Sequence, residues 1–157
     1  MIIDTPTMKD LAGLMIESKP MFDEMGFEET GNSWEYDAMV EWWTSVLTQP
    51  NHDIVVAREG SRIVGVSVVY YPAKGLWHRV NTQALEMAHH AAPDLPTFQR
   101  CKIMIKMLDA IVEKIRERGP LYFKISYVPK PEFKTWGDYL RKRGFMESGI
   151  QLAQRIG

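Results

Sequence analysis

EMAHHAAPDLPTFQRCKIMIKML, Glu86 to Leu108, starts as one kind of element and ends as another. Glu86–Ala91 has strand character. From about Phe98 to Arg118 the apolar residues recur at helical spacing: Met104, Leu108, Ile111 and Ile115 line one face, with Met107 and Val112 beside them. Lys102, Lys106, Asp109, Glu113 and Glu117 fall largely elsewhere, as on an amphipathic helix. Gly119-Pro120 stops that helix, and LYFKISYV (121–128) reads as a strand. Strand, long helix and strand in succession imply a crossover connection with parallel neighbours.

Outward from this unit the pairing changes. HDIVVARE (52–59) and RIVGVSVVYYP (62–72) are rich in β-branched residues and meet through EGSR, a glycine-containing hairpin turn. WHRVNTQALEMAHHA (77–91) is the next strand. The sheet is therefore expected to be mixed and mostly antiparallel, with one parallel strand–helix–strand unit. The fold class is α/β of the α+β type. Two helices precede the strands. DTPTMKDLAGLMIESKPMFDEMGF (4–27) opens with a turn and spaces Met8, Leu11 and Met15 helically, with Pro20 expected to end or kink it. GNSWEYDAMVEWWTSVLTQP (31–50) carries a cap at Asn32 with Glu35, or at Ser33, and a stripe of Met39, Trp42, Trp43 and Val46. PEFKTWGDYLRKRGF (131–145) predicts a short helix, and ESGIQLAQRI (147–156) a last strand.

The bulk properties narrow the class. A length of 157 residues suits one domain, 1–157. The net charge of −1 gives no electrostatic case for nucleic acid as the main partner. The lone Cys101 excludes an internal disulfide and fits a reducing compartment, so a cytoplasmic location is expected. No stretch reaches the ~18 apolar residues of a membrane span. The N-terminus lacks the basic flank of a secretory signal. Met21, Phe22, Met25, Phe27, Trp34, Trp42 and Trp43 give much large apolar surface, for packing on the sheet, an acceptor pocket or a protein interface.

Ligands of such sheets sit where the carboxyl ends of strands meet helix N-termini, here at the end of ALEMAHH and the start of FQRCKIM. On an unbroken strand Ala84, Glu86, Ala88 and His90 share a face, with small residues beside the acid and the imidazole. Four residues span ~13 Å, so Glu86 and His90 form no direct dyad without a bulge or a mediating water, and each is a separate candidate. His89 and His90 point to opposite faces, and no third ligand stands at a useful spacing, so no metal is expected. Cys101 has no identifiable catalytic partner.

In element order, and in ALEMAHHAAPD followed by a loop, a long helix and YLRKRGF, nearly the whole chain resembles the GNAT superfamily of acetyl-CoA-dependent N-acetyltransferases. The resemblance implies coenzyme contacts at Gln99, Arg100, Cys101, Lys102 and Met104. Family members carry Gln or Arg, two residues, Gly, one residue, then Gly or Ala there. Gln99 fits, whereas Lys102 and Met104 stand where the small residues are expected. Either Arg100 and Lys102 replace backbone contacts with side-chain charge, or Met104 begins the core stripe. The resemblance also implies a general base at Glu86, with His90 a second candidate, and a general acid near Tyr139. The family's Tyr position is Leu140, and one residue turns Tyr139 about 100° away. Two functions follow. One is an acetyltransferase acting on a small-molecule or peptide amine. The other is a non-catalytic interaction or structural protein, such as an accessory component of a phage or larger assembly, with a protein partner or a second copy of itself.

Overall fold

The chain opens with a short strand ahead of the expected turn. In the computed structural model, which describes residues 1–24, 33–72, 83–119, 122–125 and 134–146, Ile2–Asp4 form β1 at the sheet edge, Ile2 opposite Arg58 and Asp4 opposite Val56. Three residues are too few to show a period, so only the Ile-Ile pair ahead of Thr5-Pro6 signals it. Arg58 holds both Asp4 and Asp10, each at 3.0 Å, and ties this end down.

Thr7 and Asp10 form a capping box on a 3₁₀ turn, Met8–Asp10, that leads into α1, Leu11–Glu24. Pro20 neither ends nor interrupts α1. It lies on the solvent side, as does Ile16, whose carbonyl loses its partner at Pro20 and is within reach of water. α2 spans Tyr36–Thr48 with Glu35 as its N-cap. Ser33 does not cap it but bonds the Glu35 carboxylate at 3.0 Å, and Asn32 lies outside the described residues. The Trp43 indole N–H donates to Ser18 Oγ at 3.2 Å and joins α2 to α1. Leu14, Trp43, Val46, Ile54, Val56, Val66 and Val68 make the core under these two helices.

The expected hairpin forms. β2 is His52–Glu59 and β3 is Arg62–Tyr70, with Gly60 at φ 61° in the turn. β4, Gln83–Ala91, pairs antiparallel with β3 and parallel with β5, Tyr122–Lys124. The order is β1-β2-β3-β4-β5, so the sheet is mixed and mostly antiparallel. The expected strand residues 77–82, 121 and 126–128 lie outside the described residues.

α3, Thr97–Arg118, covers the opposite face and ends at Gly119, φ 82°. Its buried residues are Ile103, Met107, Leu108, Ile111 and Ile115. The expected stripe is thus corrected at its start: it begins at Ile103, and Met104 is only half-buried. The helix sits close because β3 has a glycine beneath it. A Cβ on Gly65 would stand 2.8 Å from Ile103 Cγ2 and 2.9 Å from Met107 Cε. At the far end Arg118 staples α3 to the start of β2. It bonds Asp53 at 2.7 and 2.9 Å, while Tyr71 donates to Asp53 at 2.7 Å and lies under the guanidinium.

These elements belong to one compact unit, Met1–Ile125; a second, Ser126–Gly157, contains α4, Lys134–Lys142. Gly144 follows that helix at φ 88°. The expected last strand, 147–156, lies outside the described residues.

Candidate functional site

The junction of β4 and α3 can be read donor by donor. Ala92 N–H is given to Val64 O at 3.0 Å, and Leu95 N–H to Ala92 O at 3.2 Å. Pro93 and Pro96 have none to give. Arg62 holds the Asp94 carboxylate at 2.9 and 3.0 Å. The bond to Arg62 keeps the Asp94 carboxyl below the usual carboxylate range. The amides of Ala92 and Leu95 are spent within the loop and on β3. The first turn differs: Pro96 is the N-cap, no side chain caps it, and no acid lies in the first turn. The N–H groups of Thr97, Phe98 and Gln99 are the orphans every helix start leaves. Together with the helix dipole they favour an anion. Arg100 N–H already bonds Pro96 O at 3.0 Å.

Behind that turn lies a partly buried ionic cluster. Glu24, the last residue of α1, takes both arms of the Arg100 guanidinium, at 2.8 and 2.5 Å. His90, 6% exposed, brings Nε2 within 3.0 Å of Glu24 Oε2, close enough for attraction but not aligned as a hydrogen bond. Burial lowers the His90 pKa, Glu24 opposes this and the Arg100 charge adds to it. His90 is therefore neutral at neutral pH and shielded from any substrate. Glu24 escaped the sequence reading because it lies 66 residues before His90 and nothing local marks a helix-ending acid as the partner of a distant arginine and histidine.

β4 has the bulge on which the Glu86–His90 relation turned. Val68 pairs with Ala88 and Val69 with Glu86, which leaves Met87 as the extra residue. Cross-strand partners share a face. His90, opposite Val66, looks toward α1 and α2, whose core contains Val66. Glu86, opposite Val69, falls in phase with Ser67 and His89 on the α3 side. The shared face expected for Glu86 and His90 is thus corrected by the bulge. Glu86 keeps partial solvent access. His89 is a structural pin: its Nε2–H donates to the Met104 carbonyl at 3.1 Å and its Nδ1 accepts from Ser67 Oγ at 3.0 Å. Burial holds its pKa down at about 4. Among the described residues no group of three His, Cys, Asp or Glu could hold a metal ion.

No family model matches the chain, and no curated protein matches it in sequence. Solved structures do match. AAC(6')-Iy, in complex with the bisubstrate analogue CoA-S-monomethyl-acetylneamine, superposes with a TM-score of 0.74 over 99% of this chain and 97% of its own, at 11% identity. An aminoglycoside acetyltransferase from an uncultured soil metagenomic sample, bound to sisomicin, gives 0.69 over 99% and 96%, at 16% identity. A transcriptional regulator from Bacillus halodurans gives 0.73 over 99% of both chains, at 17% identity. The fold is that of the GNAT acetyltransferases.

Set on the GNAT fold, the expected coenzyme residues separate. Thr97 opens the helix, so Lys102 and Met104 stand one and two turns inside it, where backbone N–H groups are already bonded. Bulk at those two positions cannot narrow the loop mouth. Gln99 donates to Glu59 of β2 at 2.8 Å. With Lys102, Lys106, Met1 and the exposed Phe98 it lines an open depression of about 430 Å³ on the β1–β2 flank of α3. That is the flank away from β4. Arg100 is taken up by Glu24. Cys101 is partly buried in the second turn. In the second unit Leu140 is buried, and Tyr139 stacks on Trp136 at 5.5 Å with the Arg143 guanidinium 5.9 Å from its ring. The signal that would have marked the first turn itself is Pro96-Thr97: proline at a helix start with no acid behind it.

Proposed function

We propose that the chain is an acetyl-CoA-dependent N-acetyltransferase with weakened coenzyme binding. The observation that carries this reading is the uncapped first turn of α3 at the carboxyl end of β4, within a fold held in common with acetyltransferases. The chain's groups fit the coenzyme's phosphates in part: the amides of Thr97, Phe98 and Gln99 would hold them, while in the proline-rich loop the amides of Ala92 and Leu95 are already bonded. Bound acetyl-CoA would supply an acetyl thioester for transfer to an amine. Glu86, partly exposed on β4, is the residue to take the amine's proton. His90 is too enclosed for that work. Cytoplasmic placement belongs to the same proposal; no described helix is long and apolar enough to cross a membrane.

Two similar structures, both from uncultured soil metagenomic samples, are aminoglycoside acetyltransferases, so aminoglycosides come first in an acceptor screen, followed by peptide amines. The test is thermal unfolding with millimolar acetyl-CoA, then thiol release with each acceptor. Ligand at a hundred times its dissociation constant stabilises by ~2.7 kcal/mol. No stabilisation at millimolar acetyl-CoA would overturn the reading.

The spent loop amides and the Asp94 carboxylate at the same mouth favour a second reading. In it the fold is retained without coenzyme and the chain works as an interaction or structural protein.

A further inference from the structure

The Glu24–Arg100 pair has the geometry of a guanidinium gripping a phosphate. Both arms are used, at 2.8 and 2.5 Å, and Arg100 is one residue past the three open amides of α3. Its charge is felt at Asp94 in the adjoining loop. A planar fork that binds a carboxylate with two parallel bonds binds a phosphate equally well. An arginine side chain is long and flexible enough to turn from one to the other.

We propose that Glu24 stands in for a ligand phosphate on Arg100, and that phosphate binding at the first turn of α3 takes Arg100 away and passes Glu24 to His90, which then takes up a proton. The proposal rests on the coenzyme site proposed above and adds a device to it: an acid from α1 that competes with the coenzyme and lowers its affinity. The groups around His90 decide the sign. α1 brings Glu24, α3 brings Arg100, and β4 itself brings His89, neutral and on the other face. β3 brings the uncharged Val66 opposite. The β4–α3 loop brings Asp94, held by Arg62, which also grips Glu17 of α1. While Arg100 neutralises Glu24, burial keeps His90 uncharged. With Arg100 gone, Glu24 at 3.0 Å is an unneutralised carboxylate, and the imidazolium becomes its natural partner.

The experiment is calorimetric titration of acetyl-CoA into the full chain at pH 6.5, in two buffers of different ionisation enthalpy, for wild type, Glu24→Gln and His90→Gln. Wild type should take up a substantial fraction of a proton per ligand, because a paired histidine titrates at or above its ordinary pKa of ~6.5. Glu24→Gln should bind about tenfold tighter or more, since a charge-assisted bond no longer competes, and without proton uptake. His90→Gln should bind without proton uptake while Arg100 stays available. If Glu24→Gln does not fold, His90→Gln carries the test alone, and proton uptake equal to wild type overturns the proposal. Tight wild-type binding that Glu24→Gln leaves unchanged or weakens overturns the competition and spares the coenzyme site. No binding by any of the three chains overturns both.

Discussion

Gly65→Ala tests how closely α3 must lie on the sheet to put its first turn at the end of β4. The new methyl would meet Ile103 Cγ2 at 2.8 Å, Met107 Cε at 2.9 Å and Met107 Sδ at 3.0 Å. The Met107 terminus can rotate aside. Ile103 Cγ2 cannot, because it branches from Cβ in a helix that allows essentially one rotamer. Overpacking of this kind costs ~1–3 kcal/mol. Replacing a strand glycine otherwise returns ~0.5–1 kcal/mol, so the net loss should be about 1–2 kcal/mol. For a chain of this size each kcal/mol moves Tm by ~2–4 °C, so the midpoint should fall by about 2–8 °C. Urea unfolding of Gly65→Ala, Ile103→Leu and the double variant isolates the cause. Leucine has no γ branch at Cβ, so the double variant should recover part of the loss, a favourable coupling at two residues in contact. If Gly65→Ala is as stable as wild type, or Ile103→Leu adds its own cost without recovery, the close approach is not what the glycine serves.

Further outcomes follow from the same structure. Asp53→Ala leaves the Arg118 fork and the Tyr71 hydroxyl without their shared acceptor and should cost about 1–3 kcal/mol in urea unfolding; a loss under ~0.5 kcal/mol would make the staple ornamental. His89 has its pKa depressed to about 4 from 6.5, so the unfolded chain binds the extra proton first. Its stability contribution is complete above pH 6.5 and drains away as pH falls toward 4, at up to ~1.4 kcal/mol per pH unit. His89→Gln should flatten that slope between pH 6.5 and 4, and an unchanged slope would contradict the assignment. For any amine acceptor that proves active, Glu86→Gln should lower turnover ~10²–10⁴-fold with acetyl-CoA affinity retained. An unaltered pH–rate profile would remove Glu86 from the chemistry.

The long helix was legible almost to the residue, because Leu108, Ile111 and Ile115 keep one period up to a Gly119 stop. The hairpin was legible because Gly60 sits between two β-branched runs. β1 was not, since three residues at a sheet edge owe their form to β2 and not to any pattern of their own. Pro20 does not end α1, because a proline's cost depends on whether its side of the helix is wet, which sequence does not record.

The site was legible as a place and much less so as a set of residues. Gly-for-Lys102 and Gly-for-Met104 reasoning assumed that these positions formed the loop mouth. The helix begins five residues before Lys102, so the mouth belongs to Thr97, Phe98 and Gln99. The bulge at Met87 moved Glu86 out of phase with His90, and strand alternation cannot foresee an inserted residue. Arg100 was picked out as a cation, but its partner Glu24 is distant in sequence and meets it only through tertiary packing.

The central claim is that the first turn of α3 holds an anion on its backbone, and amide chemical shifts of the isotope-labelled chain during titration with acetyl-CoA address it directly. The amides of Thr97, Phe98 and Gln99 should move most and saturate together, with Ala92 and Leu95, whose N–H groups are already bonded, moving less. Saturable shifts centred instead on Lys102 and Lys106 in the outer depression, or no saturable shift at all, would contradict it.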